Sequence, residues 1–279
     1  MEKLCDLHTH SKYSDGTYSP EEIINESIKI GLSAVALCDH NTVDGIPSFL
    51  EAASNKEIDA VVGTEFSVEL NEKEIHMLAL FIPTPYLSQI SDLMLEANNR
   101  KEQSNAELIE ILRKNGYDID YEEIKKGTPM GKVNRAHIGA ALTQKGYTRS
   151  VNDAFATLLS TNAGFYKAPK RTSAWEIIDF IRSIDAVPVL AHPFLNLSAD
   201  ELAEFLPIAK KRGLVGIECK YCLYDEKTEA LAFEMADRFN LKYSGGSDFH
   251  GAIKPDTALG FGKGNLRIPY EWYLNLKSK

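Results

Sequence analysis

Residues able to hold a cation open the chain. Leu4-Cys5-Asp6-Leu7 reads as a short buried strand, followed by His8-Thr9-His10 and, in the next loop, Asp15-Gly16. On an extended segment positions i and i+2 share a side, so both imidazoles point one way. Two nitrogen donors and a hard oxygen donor at a strand end suit a divalent metal. Taken alone, the stretch is equally a pair of surface histidines. The metal reading needs more donors from elsewhere in the chain.

They recur at one kind of place. Asp39-His40 ends the apolar run 33–38, Glu65 ends the run 60–65, and His192 follows the run 186–191. Asp248 and His250 lie in the loop 245–251 after a short strand, and His76 begins the second arm of a hairpin turning at 71–74. Six of the seven histidines are in this set. In a parallel (β/α) barrel the carboxyl ends of the strands face one rim, where active sites are built. Nine nitrogen and oxygen donors exceed one ion's coordination, which implies a cluster of two or three divalent ions.

The elements that must position these residues alternate between helix and strand. Ser19-Pro20-Glu21-Glu22 is a capping box with proline at the first helical position, and the helix stops at Gly31. A helix through 49–53 precedes the strand 60–65, and 68–70 with 75–81 form the hairpin arms. Ser173-x-x-Glu176 and Ser198-x-x-Glu201 cap later helices, with a strand at 214–219, a helix at 230–239 and a strand at 241–244. Between these α/β units, strand signals vanish. The residues 87–114 read as a long amphipathic helix, Asp120-x-x-Glu123 caps a second, Asn134 a third, and 151–159 is a fourth. An all-helical block of this kind reads as an insertion domain.

Composition narrows the partners. With 31 basic against 40 acidic residues the net charge is −9, which argues against a broad grip on duplex DNA. A small phosphorylated substrate remains compatible, because bound cations would offset the carboxylates locally. No apolar run is long enough to span a membrane, no leader-like segment precedes the first motif, and the four cysteines suggest no disulfide framework. A cytoplasmic protein is expected.

Three features carry little chemistry. The run Gly127 to Val133 has phosphate-loop glycines at the wrong spacing, lacks the hydroxyl residue and follows no strand. Cys219-x-x-Cys222 lacks a second pair and reads as core packing. Glu218 and Asp39 are either ordinary strand-end polarity or partners that orient ligand histidines.

The ordered set His8-Thr9-His10, Ser14-Asp15-Gly16, Asp39-His40, Gly63-x-Glu65, His76, Ala191-His192-Pro193 and Ser247-Asp248-Phe249-His250 resembles the motifs of the PHP (polymerase and histidinol phosphatase) superfamily. The resemblance covers all but the helical block. It implies an α/β fold, a distorted (β/α)7 TIM-like barrel with an all-helical insertion domain. Residues 1–85 and 172–279 would form the metal-binding barrel, and 86–171 the insertion, acting as a substrate cap. His8, His10, Glu65 and Asp248 would hold one metal. Glu65 would bridge to a second completed by His76 and His192, and Asp15, His40 and His250 would hold a third. Manganese, iron and zinc all suit such ligands.

The insertion resembles one branch of the superfamily, monomeric phosphoesterases acting on nucleoside 3′,5′-bisphosphates or on 5′ ends of short single-stranded RNA. Arg135-Ala136-His137 matches that branch's Arg-x-His segment, which implies substrate-phosphate contacts from Arg135 and His137. Lys170 and Arg171 are further candidates for this job. The competing reading of Arg135 and His137 is an exposed face of a capped helix. The implied reaction is phosphoester hydrolysis by a metal-activated water, with no protein nucleophile. Histidinol-phosphate and cyclic-phosphate phosphoesterases are the alternatives within the superfamily, and a non-catalytic metal-binding scaffold is the alternative outside enzymes.

Overall fold

A computed structural model describes residues 3–128 and 133–278. The phosphate-loop spacing weighed above falls largely on 129–132, outside the described residues. The chain divides into two compact units, Met1–Ser91 with Arg171–Lys279, and Asp92–Lys170.

The first unit is built on one sheet. Its strand order is β1 (Leu4–Thr9), β2 (Leu32–Leu37), β3 (Asp59–Leu70), β4 (Lys73–Leu80), β6 (Val187–Ala191), β7 (Gly216–Tyr221) and β8 (Lys242–Gly246), with the two-residue β5 (Thr172–Ser173) beside the far end of β3. Neighbours are parallel except β4, which runs antiparallel to both β3 and β6. The sheet nearly closes into a barrel at its carboxyl rim. There His10 N–H donates to Phe249 O and Asp248 N–H to His8 O, each at 2.9 Å. Gly246 permits this approach, since a Cβ there would lie 2.2 Å from His8 Cβ. At the opposite end of β1 the C-terminal segment fills the seam, with Cys5 N–H donating to Ile268 O at 2.9 Å. The result is a distorted α/β barrel.

Apolar strand residues explain the closure. Cys5, Leu7, Ala34, Ala36, Val61, Leu78, Leu80 and Val189 are buried in one core cluster. Strands covered on both faces read as continuous apolar runs rather than alternating ones. Among the described residues six α-helices lie wholly in this unit: α1 (Pro20–Lys29), α2 (Ile46–Ala53), α7 (Ala174–Ser183), α8 (Ala199–Arg212), α9 (Glu226–Arg238) and α10 (Tyr270–Lys277). The capping boxes at Ser19/Glu22, Ser173/Glu176 and Ser198/Glu201 are all formed.

Two of the departures from the sequence reading concern β3 and the C-terminal helix. The segments expected as separate strands at 60–65 and 68–70 are one twelve-residue strand, β3, so Glu65 sits in mid-strand. The strand runs on because the antiparallel β4 and then β5 keep pairing with it. The helix α10 also went unread; it is stapled by Asp59, which accepts from Tyr270 Oη at 2.5 Å and Tyr273 Oη at 2.9 Å.

The second unit contains the helix α3 (Leu87–Lys114) from Asp92 onward, α4 (Tyr121–Gly127), α5 (Arg135–Gln144) and α6 (Val151–Thr157), with no strand among its described residues. Leu108, Leu112, Ile138, Leu142 and Leu159 form its core with the aromatic Tyr166. Among the described residues no helix is long and apolar enough to cross a membrane.

Candidate metal centre

Glu65 is the hub of the first unit's rim. It is fully buried, and its two carboxylate oxygens face five imidazoles. Oε2 lies 3.3 Å from both His8 Nε2 and His10 Nε2 and 3.0 Å from His40 Nδ1. Oε1 lies 2.9 Å from His76 Nδ1 and 3.0 Å from His192 Nε2. Asp248 Oδ1 adds a carboxylate 3.2 Å from His10 Nε2 and 3.7 Å from His8 Nε2. Beside this lies a second carboxylate centre, with Asp15 Oδ1 3.2 Å from His250 Nε2 and Oδ2 3.6 Å from His40 Nε2.

Strand direction explains how these side chains meet. β1 delivers His8 and, just past its end, His10; His40 follows β2, His192 follows β6, and Asp248 and His250 follow β8. His76 lies in the first half of β4, yet reaches the same rim because β4 is antiparallel. Its register partners are Ser67 on β3 and Ala191 on β6. All nine residues read from the sequence as metal donors therefore lie along one rim. Among the described residues, donor atoms within 4.8 Å of one another form three overlapping groups: His8, His10 and Glu65; His40, Glu65 and His76; and His10, Asp15, His40 and His250. His10 and His40 each belong to two groups, an overlap that the sequence pattern alone does not specify.

The donor set fits divalent cations. His10 Nδ1, His40 Nδ1 and Glu65 Oε2 are buried with no hydrogen bond. Unsatisfied polar atoms cost free energy in a protein interior, and a buried charge costs more unless paired. A divalent ion among nitrogen and carboxylate lone pairs removes that cost. The electrostatics agree. Burial alone would raise the carboxyls of Asp15 and Glu65, but the surrounding histidines outweigh it and hold both well below the usual range. Asp248 is held down in the same way, with Lys254 as the main opposing charge. Burial would lower the imidazoles of His10 and His76, but neighbouring carboxylates raise both to about 9. His40 goes the other way, lowered by burial to about 4.

Several groups hold the donors in place. Glu218, fully buried on β7, lies 3.0 Å from His8 Nδ1 through Oε1 and accepts the backbone N–H of His192 at 2.7 Å through Oε2. It does orient a donor histidine. Asp39 does not: it accepts from Ser11 N–H, Ser11 Oγ and Ser14 Oγ at 2.8, 2.6 and 2.7 Å, fastening the loop that carries Asp15. His192 and Asp248 have φ of 27° and 53°. Such left-handed backbone costs non-glycine residues roughly 1–3 kcal/mol where the surrounding structure imposes it.

Three supporting residues escaped the sequence reading. Asp6 accepts from Ser247 N–H at 2.9 Å, Ser247 Oγ at 2.5 Å and Gly260 N–H at 2.8 Å, tying the β8 loop to β1. Its signal was an acid inside an apolar strand run. Tyr221 Oη and Lys254 Nζ donate to Asp248 Oδ2 at 2.8 and 2.6 Å, contacts without a local sequence signature. Cys219 and Cys222 are buried free thiols.

The residues considered for phosphate contacts fall as follows. In the second unit, the Arg135 guanidinium lies 4.3 Å from the Tyr166 ring centre and 5.5 Å from that of Phe155. His137 stands at the third position of α5, where its Nδ1 accepts Asn134 N–H at 3.2 Å and its own N–H donates to Asn134 Oδ1 at 3.0 Å. His137 is therefore buried in a capping box rather than on an exposed helix face. Lys170 O accepts from Arg100 Nε at 3.2 Å. In the first unit, Arg171 is committed to Glu74 at 2.6 Å, and Glu74 lies 3.6 Å from His76 Nε2.

The model of the PHP domain family matches residues 6–181. The chain belongs to the PHP family. Among curated proteins, this PHP chain is 28% identical over 251 residues to a 5′-3′ exoribonuclease of Haemophilus influenzae, covering 90% of this chain and 91% of that one. It is 28% identical over 270 residues to a phosphoribosyl 1,2-cyclic phosphate 1,2-diphosphodiesterase of Eggerthella lenta, covering 92% and 97%. A 3′,5′-nucleoside bisphosphate phosphatase of Chromobacterium violaceum is 26% identical over 250 residues, covering 88% and 86%. Among solved structures, a presumed metal-dependent phosphoesterase from Bifidobacterium adolescentis superposes with a TM-score of 0.87 at 26% identity, covering 99% of this chain and 96% of that one. Family, relatives and the histidine–carboxylate cluster together make this PHP chain a hydrolase of phosphoester bonds.

Proposed function

We propose that this PHP enzyme hydrolyses phosphate esters of nucleotides, acting on nucleoside 3′,5′-bisphosphates or on the 5′ ends of short single-stranded RNA. The observation that carries the reading is the buried Glu65 carboxylate facing five imidazoles, a donor array suited to divalent ions. The proposed ligands are His8, His10, Asp15, His40, Glu65, His76, His192, Asp248 and His250, holding two to three ions of manganese, iron or zinc. Bound divalent ions supply an acidified water as nucleophile and withdraw charge from the phosphoryl oxygens. The chain's own residues fix the geometry. Glu218 holds the His8 ring so that Nε2 faces Glu65, and Tyr221 with Lys254 engages Asp248 Oδ2, leaving Oδ1 turned to the histidines. No serine, cysteine or threonine nucleophile is needed.

Arg135, His137 and Lys170 are assigned to substrate phosphate because Arg135-Ala136-His137 matches the Arg-x-His segment of the nucleotide branch. The helical unit would then act as a substrate cap. The activities of the Haemophilus and Chromobacterium relatives, each matched over most of its length, support nucleotide substrates. A net charge of −9 favours a small or single-stranded partner over duplex DNA. A cytoplasmic monomer completes the proposal. The second reading is a cyclic-phosphate diesterase, favoured by the Eggerthella relative that matches nearly end to end.

Phosphate release from adenosine 3′,5′-bisphosphate, a 5′-phosphorylated RNA oligomer, phosphoribosyl 1,2-cyclic phosphate and histidinol phosphate separates the readings. The nucleotide or RNA substrate is expected to turn over with the highest kcat/KM. Preference for the cyclic phosphate or for histidinol phosphate overturns the substrate assignment. Turnover of none by the metal-loaded protein returns the non-catalytic scaffold.

A further inference from the structure

His76 turns Nδ1 to Glu65 Oε1 at 2.9 Å, whereas His8, His10 and His192 face the same carboxylate through Nε2. The other nitrogen of His76, Nε2, lies 3.6 Å from Glu74 Oε1. Glu74 is two residues back on β4, so the alternation of a strand puts both side chains on one face. Arg171 Nη2 donates to the second oxygen, Glu74 Oε2, at 2.6 Å. The sheet explains this long reach. Val68 on β3 pairs with Ile75 of β4 on one edge and with Thr172 of β5 on the other. Arg171 immediately precedes β5, so its side chain crosses β3 to meet Glu74. Glu74 also stands directly opposite Glu69 in the β3–β4 pair. Like charges so placed destabilise a sheet, and the Arg171 guanidinium offsets that cost.

We propose that Glu74 is a positioning residue for His76, held in place by Arg171, and that the pair makes Nδ1 the metal-binding nitrogen of His76. The inference rests on the metal reading above and goes beyond it, by giving Glu74 and Arg171 a part in the centre. A histidine bound through Nδ1 carries its proton on Nε2. A carboxylate facing that nitrogen fixes both the tautomer and the orientation of the ring. The 3.6 Å separation is longer than a hydrogen bond, and a proton held on Nε2 by an ion at Nδ1 is expected to shorten it. Arg171 completes the arrangement, since its contact takes Oε2 and leaves Oε1 for His76. The residue considered from sequence for substrate phosphate thus acts here through a ligand histidine.

Zinc titration by calorimetry compares the wild type with Glu74→Ala, Arg171→Ala and Arg171→Lys, alongside melting of each metal-free form. Glu74→Ala is expected to weaken the binding of one ion by about tenfold or more. Arg171→Ala should weaken it by less, and Arg171→Lys should recover part of the loss. Nitrogen-15 spectra of the zinc-loaded wild type, with the His76 ring assigned through His76→Ala, read the tautomer directly. They should show the metal on Nδ1 and the proton on Nε2, and they decide the question whatever the stability of the variants. A His76 ring bound through Nε2 overturns the proposal. Wild-type zinc affinity in Glu74→Ala does so too, even with a lowered melting temperature, because the pair is then only a strut between β5 and the hairpin. A raised KM in Arg171→Ala with unchanged zinc affinity overturns the part given to Arg171 and returns it to substrate phosphate. A wild type that binds no zinc, manganese or iron overturns the metal reading itself and the positioning role with it.

Discussion

Glu218→Gln isolates what one buried carboxylate does for the centre without changing its size. The carboxylate is an acceptor on both sides, with Oε1 3.0 Å from His8 Nδ1 and Oε2 2.7 Å from His192 N. It keeps a neutral His8 protonated at Nδ1, which leaves the Nε2 lone pair facing Glu65. A glutamine cannot serve both partners. If its oxygen accepts from His192 N–H, its amide donates to His8 Nδ1 and the proton moves to Nε2, where it blocks coordination. If the amide is turned over, its N–H₂ faces the His192 N–H and leaves a buried donor unsatisfied, at about 1–3 kcal/mol. Second-layer changes of this kind cost 10- to 100-fold in metal affinity. The assay is metal titration by calorimetry together with thermal melting of the metal-free form. The expected result is weaker metal binding by about tenfold or more, with the fold retained. Wild-type metal affinity in the variant would refute the orienting role.

Metal binding should also release protons. In the metal-free protein neighbouring carboxylates outweigh burial and raise His10 and His76 to about 9, so both are protonated near pH 7.5, and the His8 imidazole is raised by Glu218 and Glu65 in the same direction. Coordination requires bare nitrogens. Affinity should therefore climb as pH rises from 6 toward 9 and level off beyond, and calorimetry in buffers of different ionisation enthalpy should detect the protons; a heat independent of buffer contradicts this. Gly246→Ala places a Cβ 2.2 Å from His8 Cβ and should cost roughly 3 kcal/mol through overpacking of the β1–β8 seam. For a chain of this size that is roughly 6–12 °C in Tm, so an unchanged melting temperature sinks the argument. His8→Ala removes a nitrogen from the hub and should abolish phosphatase activity while leaving the far-ultraviolet circular dichroism intact. Full activity in a metal-depleted His8→Ala protein would contradict the metal mechanism.

The sequence exposes much of this centre because the histidines and acids recur at strand ends. His76 was legible only as a hairpin residue; its approach to Glu65 follows from β4 being antiparallel, a property of the whole sheet. Glu65 read as the end of a strand, whereas pairing with β4 and β5 carries β3 five residues further. Glu218 and Asp39 looked alike in sequence and proved different, because one points at His8 and the other at Ser11 and Ser14. Asp6, Tyr221 and Lys254 act across large sequence separations, where periodicity carries no information. The boundaries of capped helices were read well because a capping box is local chemistry.

Crystals grown with manganese and measured at the metal's absorption edge test the central claim most directly. Anomalous density is expected at two or three positions around Glu65, each within coordination distance of the histidine and carboxylate donors named above. A metal-saturated protein whose anomalous peaks lie away from Glu65 would contradict it.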